Sequence, residues 1–200
     1  MDHGGASQLD VALTHHRAGR YGDAEPLYRA VLEREPRNDR ALHLLGTLLY
    51  QTRRLGPAET MLRAAIELNP GHAAIHYHLA NVLKDSGRVD EAIRALDQAL
   101  LINHQFFDAL FLLGSLQANR ENYDVAELVL RKALALQPAH AGSYFQLGKV
   151  LWYRRRRSDW PEAEAAIRMT VKLDPGNAEA HVNLGGILHS QGRDSEAADS

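Results

Sequence analysis

The feature that most constrains this chain is a unit of 34 residues that repeats along it. Pro36 and Pro70 lie one such unit apart, and Pro138 lies two units further on. His104 occupies the position between them. Small residues recur in the same register: Ala24, Ala58, Ala92 and Ala126 at one position, and Ala12, Gly46, Ala80, Gly114 and Gly148 at another. A fixed period of this length indicates stacked copies of one small structural unit.

Each unit predicts two helices, which we call helix A and helix B. Apolar residues flank the small position at helical spacing, as Leu45 and Leu49 do around Gly46, which marks one buried stripe. Gly19, Gly87 and Gly192 share the turn between the two helices. Each complete helix B then opens with an apolar or aromatic residue: Tyr21, Leu55, Val89, Tyr123 and Trp160. The pattern predicts an all-α, right-handed superhelical solenoid without strands.

In these small, aromatic and closing Pro positions the chain resembles the tetratricopeptide repeat family. The resemblance predicts one array over residues 1–200, with repeats at 5–38, 39–72, 73–106, 107–140, 141–177 and a truncated sixth at 178–200. Two departures are visible. His104 replaces the closing Pro, and the Trp that is common at the fourth position is absent. Its replacements are Gln8, Leu42, His76, Leu110, Tyr144 and His181.

The fifth repeat is three residues longer than the others, because residues are inserted around Arg154–Arg157. Asp159, with Glu162 three residues later, indicates a capping box, so helix B of this repeat is expected to begin near Trp160. A run of charge is usually solvated. Binding of an acidic tail or a phosphate is the alternative for the four arginines.

Composition excludes several classes of function. The formal net charge is −2, so no positive field favours nucleic acid. The chain has no Cys, which excludes disulfides and thiolate-bound metals. The longest nearly apolar stretch, from Ala109 to Leu116, is far shorter than the roughly 20 residues of a membrane-spanning helix. The N-terminus lacks a signal peptide pattern. We therefore expect a cytoplasmic protein that binds neither nucleic acid nor membrane.

The sequence predicts no catalytic, cofactor-binding or metal-binding residues. Gly148-Lys149 lies within a predicted helix and not in a phosphate-binding loop, and no nucleophile elbow is present. Of the 11 His residues, His76 and His78 are two apart and therefore point to opposite sides of a helix. Without a pair on one face, the histidines are interpreted as scattered polar and groove-lining residues.

The family resemblance implies that the outward positions of helix A line a concave groove that binds a peptide or protein. These positions carry His43, Thr47, Tyr50, Tyr77, Asn81, Lys84, Phe111, Ser115, Phe145, Lys149 and Trp152. Rings interleaved with donors and acceptors suit an extended peptide. In the alternative interpretation, Tyr77, Phe111 and Phe145 only cover the core. The Lys and Asn clamp for a terminal carboxylate is absent.

Two functions remain open from the sequence. The chain is either a non-catalytic scaffold or the substrate-recognition front end of a larger enzyme. The opening repeats resemble those of bacterial multidomain glycosyltransferases related to O-GlcNAc transferase, sulfotransferases and hydroxylases. The Asn ladder of those glycosyltransferases is reduced here to Asn183.

The sixth repeat lacks a complete helix B, and Asp194 replaces its apolar opening residue. We therefore expect the segment from Asp194 to Ser200 to fray. An exposed apolar edge on Val182, Leu184, Ile187 and Leu188 predicts either a native chain that continues beyond Ser200 or self-association through this repeat.

Overall fold

The structure, a computed structural model, describes residues 7–198. The chain divides into two compact units, Met1–His104 and Gln105–Ser200. The described residues contain helices in consecutive packed pairs and no strand. The expected all-α fold of helix–turn–helix units is confirmed. The single array over residues 1–200 stays a prediction.

Unit 1 contains three helix pairs. They are α1 (Gln8–Arg17) with α2 (Tyr21–Arg34), α3 (Asp39–Gln51) with α4 (Leu55–Leu68), and α5 (Ala73–Asp85) with α6 (Val89–Ile102). Odd-numbered helices are A helices and even-numbered helices are B helices. Each of these B helices begins at the residue that the sequence predicts. Two helices are capped by side chains, since Ser7 accepts from the Asp10 amide and Asn38 from the Ala41 amide.

Unit 2 follows the same order. Its elements are α7 (Phe107–Asn119), α8 (Tyr123–Leu136), α9 (Ala141–Tyr153), a 3-10 turn (Arg157–Asp159), α10 (Trp160–Leu173), α11 (Ala178–Ser190) and α12 (Asp194–Ala198). The core of this unit joins Leu130, Leu147, Leu151, Ile167 and Ile187. Burying each large apolar side chain stabilises the fold by about 1.5–3 kcal/mol.

The small residue in the middle of helix A sets how closely the two helices of a pair approach. A Cβ built on Gly46 would lie 2.8 Å from Leu62 Cγ, and one built on Gly148 would lie 2.6 Å from Ile167 Cδ1. Gly114 is crowded in the same way by Leu130, at 2.7 Å. The apolar residue of helix B therefore fills the space where a larger side chain of helix A would stand.

The turn from helix A to helix B requires a left-handed residue in every repeat. Gly19, Gly87 and Gly192 have φ of 73°, 76° and 76°. The equivalent residues Arg53, Glu121 and Arg155 adopt φ of 62°, 61° and 57° although they are not glycine. A residue with a Cβ is strained in this region by about 1–2 kcal/mol. The turns at Arg53, Glu121 and Arg155 are therefore less stable than they would be with glycine.

We predict that Glu121→Gly raises the free energy of unfolding by about 0.5–1 kcal/mol, because relief of strain exceeds the added chain entropy of glycine. Urea denaturation measures this change. Gly87→Ala is the matched control and is expected to be destabilising, because alanine is strained at the left-handed φ of this turn. The new Cβ meets no atom within 4 Å, so steric overlap does not contribute. Equal stability of Glu121→Gly and the parent chain contradicts the prediction.

Ion pairs connect successive repeats within unit 1. Glu25 of α2 accepts from Arg29 on the same helix and from Arg54, which precedes α4; Arg54 Nη2 lies 2.6 Å from Glu25 Oε2. The hydrogen bond from Arg54 lowers the pKa of Glu25 to about 2. Glu59 repeats the arrangement one unit later and lies 2.7 Å from Arg88. We call each such group a rung.

Unit 2 has two further rungs, centred on Glu127 and Glu164. Glu127 Oε2 lies 2.6 Å from Arg154 Nη1, and Glu164 Oε2 lies 2.8 Å from Arg193 Nη1. The Glu164 side chain is only 8% exposed and also bonds Arg168. A carboxylate this buried needs both partners, because an unpaired buried charge is strongly destabilising.

The arginine insertion divides into one anchored residue and three exposed ones. Arg154 is 11% exposed and bonds Asp124, Glu127 and Asp159, so the expectation of a solvated run is wrong for this residue. Arg155, Arg156 and Arg157 are exposed, as expected. Helix α10 does begin at Trp160, but Asp159 makes no capping hydrogen bond. Its carboxylate accepts from Arg154 instead, so the predicted capping box is wrong.

We predict that Arg154→Gln lowers the free energy of unfolding by about 1–3 kcal/mol, because Glu127 and Asp159 lose a charged partner in a half-buried position. The adjacent Arg155→Gln changes stability by less than about 0.5 kcal/mol, as an exposed surface substitution should. Thermal denaturation of the two variants compares them directly. Similar losses in both variants contradict the anchored role of Arg154.

The C-terminal repeat is better packed than its sequence predicts. The segment Asp194–Ala198 forms α12 and contacts α11. Arg193 donates to Glu196 at 2.6 Å, and Ala197 packs against the core. Leu184, Ile187 and Leu188 are buried, so of the four proposed edge residues only Val182, at 73% exposure, is open. Residues 194–198 are helical, and their expected fraying stays a prediction. Asp199 and Ser200 lie outside the described residues.

Candidate ligand-binding strips

The predicted groove residues of unit 1 lie on two adjacent A helices. We call them the unit 1 strip: His43, Thr47 and Tyr50 on α3, and Tyr77, Asn81 and Lys84 on α5. All six are half-buried. The helical period places each set on one side of its helix, and Tyr50 and His43 of α3 contact Asp85 and His78 of α5.

Asp85 is the centre of the C-terminal end of this strip, and sequence reasoning missed it. The Tyr50 hydroxyl donates to Asp85 Oδ2 at 2.9 Å, Arg53 Nη1 donates to the same oxygen at 3.0 Å, and Lys84 Nζ lies 3.2 Å from Oδ1. Burial raises the pKa of Asp85, but the bonds from Tyr50 and Lys84 outweigh burial and lower it. Two cations on one carboxylate leave a net positive charge at this end.

The N-terminal end of the unit 1 strip is a group of histidine rings. The His43 ring centroid lies 5.0 Å from that of His78 and 5.4 Å from that of His72. Burial and the neighbouring histidines lower the pKa of His43 to about 4. Among the described residues, His43 Nε2 is buried without a hydrogen-bond partner. No group of residues in the described part of the chain has metal-binding geometry.

The predicted groove residues of unit 2 are more aromatic. We call them the unit 2 strip: Phe111 and Ser115 on α7, and Phe145, Lys149 and Trp152 on α9. The half-buried Phe111 ring lies 4.8 Å from His140, centroid to centroid, and its edge lies 3.3 Å from where a Cβ on Gly142 would stand. Phe111 therefore bridges α7 and the first turn of α9.

Lys149 and Trp152 are both held in place by α11. Lys149 Nζ lies 5.1 Å from the Phe145 ring centroid and 3.0 Å from Glu179 Oε1. The Trp152 indole covers Gly186 so closely that a Cβ there would lie 2.6 Å from Cη2. Phe145 is only 8% exposed, so it acts as a platform below Lys149.

The small polar residues of both strips bond their own helices. Thr47 donates to the His43 carbonyl at 3.0 Å, Asn81 to the Tyr77 carbonyl at 3.1 Å, and Ser115 to the Phe111 carbonyl at 2.8 Å. A hydroxyl oxygen can still accept, and the amide of Asn81 has further donor and acceptor capacity. The bonds to helix carbonyls therefore orient these side chains, which keep the capacity to form a hydrogen bond with a ligand.

Comparison with known families agrees with this geometry. A tetratricopeptide repeat model matches residues 77–141 and 145–200, which together exceed half of the chain. The chain belongs to the tetratricopeptide repeat family. A model of anaphase-promoting complex, cyclosome, subunit 3 matches residues 17–99. Among curated proteins, no sequence matches the chain significantly.

Solved structures of tetratricopeptide repeat proteins share the fold. PilF of Pseudomonas aeruginosa is 16% identical, with a TM-score of 0.83 over 96% of this chain and 86% of its own. YrrB, described as having an unusual peptide-binding site, is 19% identical, with a TM-score of 0.74 over 92% and 90%. MamA is 22% identical, with a TM-score of 0.74 over 86% and 92%. At these identities the likeness shows the fold alone.

One expectation from the sequence gains no further support here. The likeness of the opening repeats to those of multidomain glycosyltransferases stays a prediction. Asn183, the one residue of the Asn ladder, is buried, and its Nδ2 has no hydrogen-bond partner among the described residues. None of the described helices combines the length and apolar character needed to cross a membrane.

Proposed function

We propose that this tetratricopeptide repeat chain is a non-catalytic scaffold that binds a peptide or protein segment on its two strips. The observation that carries the proposal is that half-buried rings stand beside polar side chains that are already held in place. Tyr50 is fixed by Asp85, and Lys149 by Glu179. Side chains that are ordered before binding lose little entropy on binding, so their contacts contribute more fully to affinity.

The two strips suit different kinds of peptide group. The unit 1 strip offers Thr47, Asn81 and Lys84, which can bond main-chain groups and polar side chains. The unit 2 strip offers Phe111 and Trp152, which suit apolar side chains. An extended peptide presents both kinds of group in alternation, and this supports a peptide in preference to a small molecule.

Truncating the rings of Tyr77 and Phe111 distinguishes a role in ligand binding from a role in packing alone. We predict that Tyr77→Ala with Phe111→Ala weakens capture of a peptide by about 2–4 kcal/mol, since truncating one ring at an interface costs on the order of 2 kcal/mol. The peptide is one selected on the intact chain from a random library. Calorimetry compares its affinity for the parent chain and the variant.

Leu128→Ala is the matched control for this experiment, because Leu128 is 56% exposed and lies on the B helix α8. Its affinity is expected to equal that of the parent chain. Circular dichroism of each variant shows that the fold is retained. Unchanged affinity in a folded double variant contradicts the proposed strips, and failure to select any peptide contradicts the proposed function.

We also place this scaffold in the cytoplasm, with self-association through the sixth repeat as a separate possibility to test. The absence of Cys suits a reducing compartment. Because Ile187 and Leu188 are buried, Val182→Glu is the substitution that tests the repeat edge without entering the core. A dimer in sedimentation that dissociates in this variant supports self-association, and a monomer opposes it.

A further inference from the structure

The histidine group of the unit 1 strip joins two neighbouring A helices. His43 lies on α3, His78 lies on α5, and His72 is the residue just before α5. The 5.0 Å between the His43 and His78 centroids makes this a direct contact between the helices. The ring centroid of Tyr77, a strip residue, lies 5.4 Å from that of His78. A change at these rings therefore reaches the proposed binding surface directly.

Very little negative charge faces these rings. Burial, followed by His78 and His72, lowers the pKa of His43, and Asp39 on the same helix is the one carboxylate that opposes them. Asp39 already accepts from Asn69 at 2.8 Å. Within residues 7–198, no charged side chain of α1, α2 or α4 acts on His43. The pKa of His78 is lowered to about 4 by burial and then by His72.

We propose that His43, His72 and His78 form a pH switch for the unit 1 strip, in which protonation separates α3 from α5 and releases the bound segment. The inference rests on the proposed function of the strip. A proton on His43 or His78 places a cation among other histidines in a half-buried site. The buried His43 Nε2 has no acceptor among the described residues, so a charged ring gains most by turning out to water.

The direction of the effect follows from the linkage between protons and opening. When the joint between α3 and α5 opens, His43 and His78 regain a pKa near 6.5, whereas in the closed joint their pKa values are about 4. Below pH about 6.5 the open joint binds more protons than the closed joint. Opening therefore becomes easier as the pH falls, and the closed joint is fully stable above that pH.

Native-state hydrogen exchange of the whole chain without any ligand tests the switch. We expect protection of the α3 and α5 amides, corrected for intrinsic exchange, to fall by up to about tenfold per histidine for each pH unit below about 6.5. Measurements stop above pH about 5, before the carboxylates titrate. His43→Gln and His78→Gln each remove part of this dependence. His104→Gln, at an exposed histidine of the same unit, leaves it unchanged.

The library-selected peptide provides a second readout. Its affinity, measured at pH about 7.5 and about 5.5, is expected to fall at least about fivefold, and less in His43→Gln. Ring resonances of His43 and His78 that titrate near pH 6.5 without added amide exchange overturn the switch. A pH dependence of amide protection that persists in both His43→Gln and His78→Gln also overturns the switch. Because exchange needs no ligand, the switch is tested even where no peptide is selected and the proposed function fails.

Discussion

The rest of the structure depends on the close approach of helix A and helix B at one small residue. Where Gly46 meets Leu62, or Gly148 meets Ile167, no room is left for even a methyl group unless the neighbour shifts. This contact fixes which side of helix A is buried. The strips lie on another side of helix A, where Phe145 is buried and the other strip residues are half-buried. Fold and candidate site are therefore consequences of the same contact.

A second, electrostatic system holds repeats together within each unit without using the strips. The rungs centred on Glu25, Glu59, Glu127 and Glu164 join each B helix to the turn between the two helices of the following repeat. Each carboxylate is shared by two arginines, which compensates for its partial burial. The strips instead hold their own side chains through Asp85, Glu179 and helix carbonyls. The rungs and the strips thus use different residues.

The local sequence was enough to predict the helices, because the apolar residues and the small residue of each repeat recur at fixed spacing. The register also located the left-handed turn, although only three of its six residues are glycine. Partners that are distant in sequence were not predictable. Asp85 contacts Tyr50 of the preceding repeat, and His140, at the far end of its own repeat, contacts Phe111. Asp159 accepts from Arg154, although a capping role was expected. The rungs did have a sequence signal, since Glu25, Glu59 and Glu127 follow the 34-residue period, but this signal lies outside the small and apolar positions that define the repeat.

A segment bound on the strips lies on the A helices and not on the B helices. A nitroxide attached to the library-selected peptide tests it most directly, because the label broadens the resonances of nearby protein residues. We predict broadening at strip residues such as Thr47, Asn81 or Ser115, with sharp resonances at the exposed Val125 and Leu128 of α8. Broadening confined to α8 and the other B helices would contradict it.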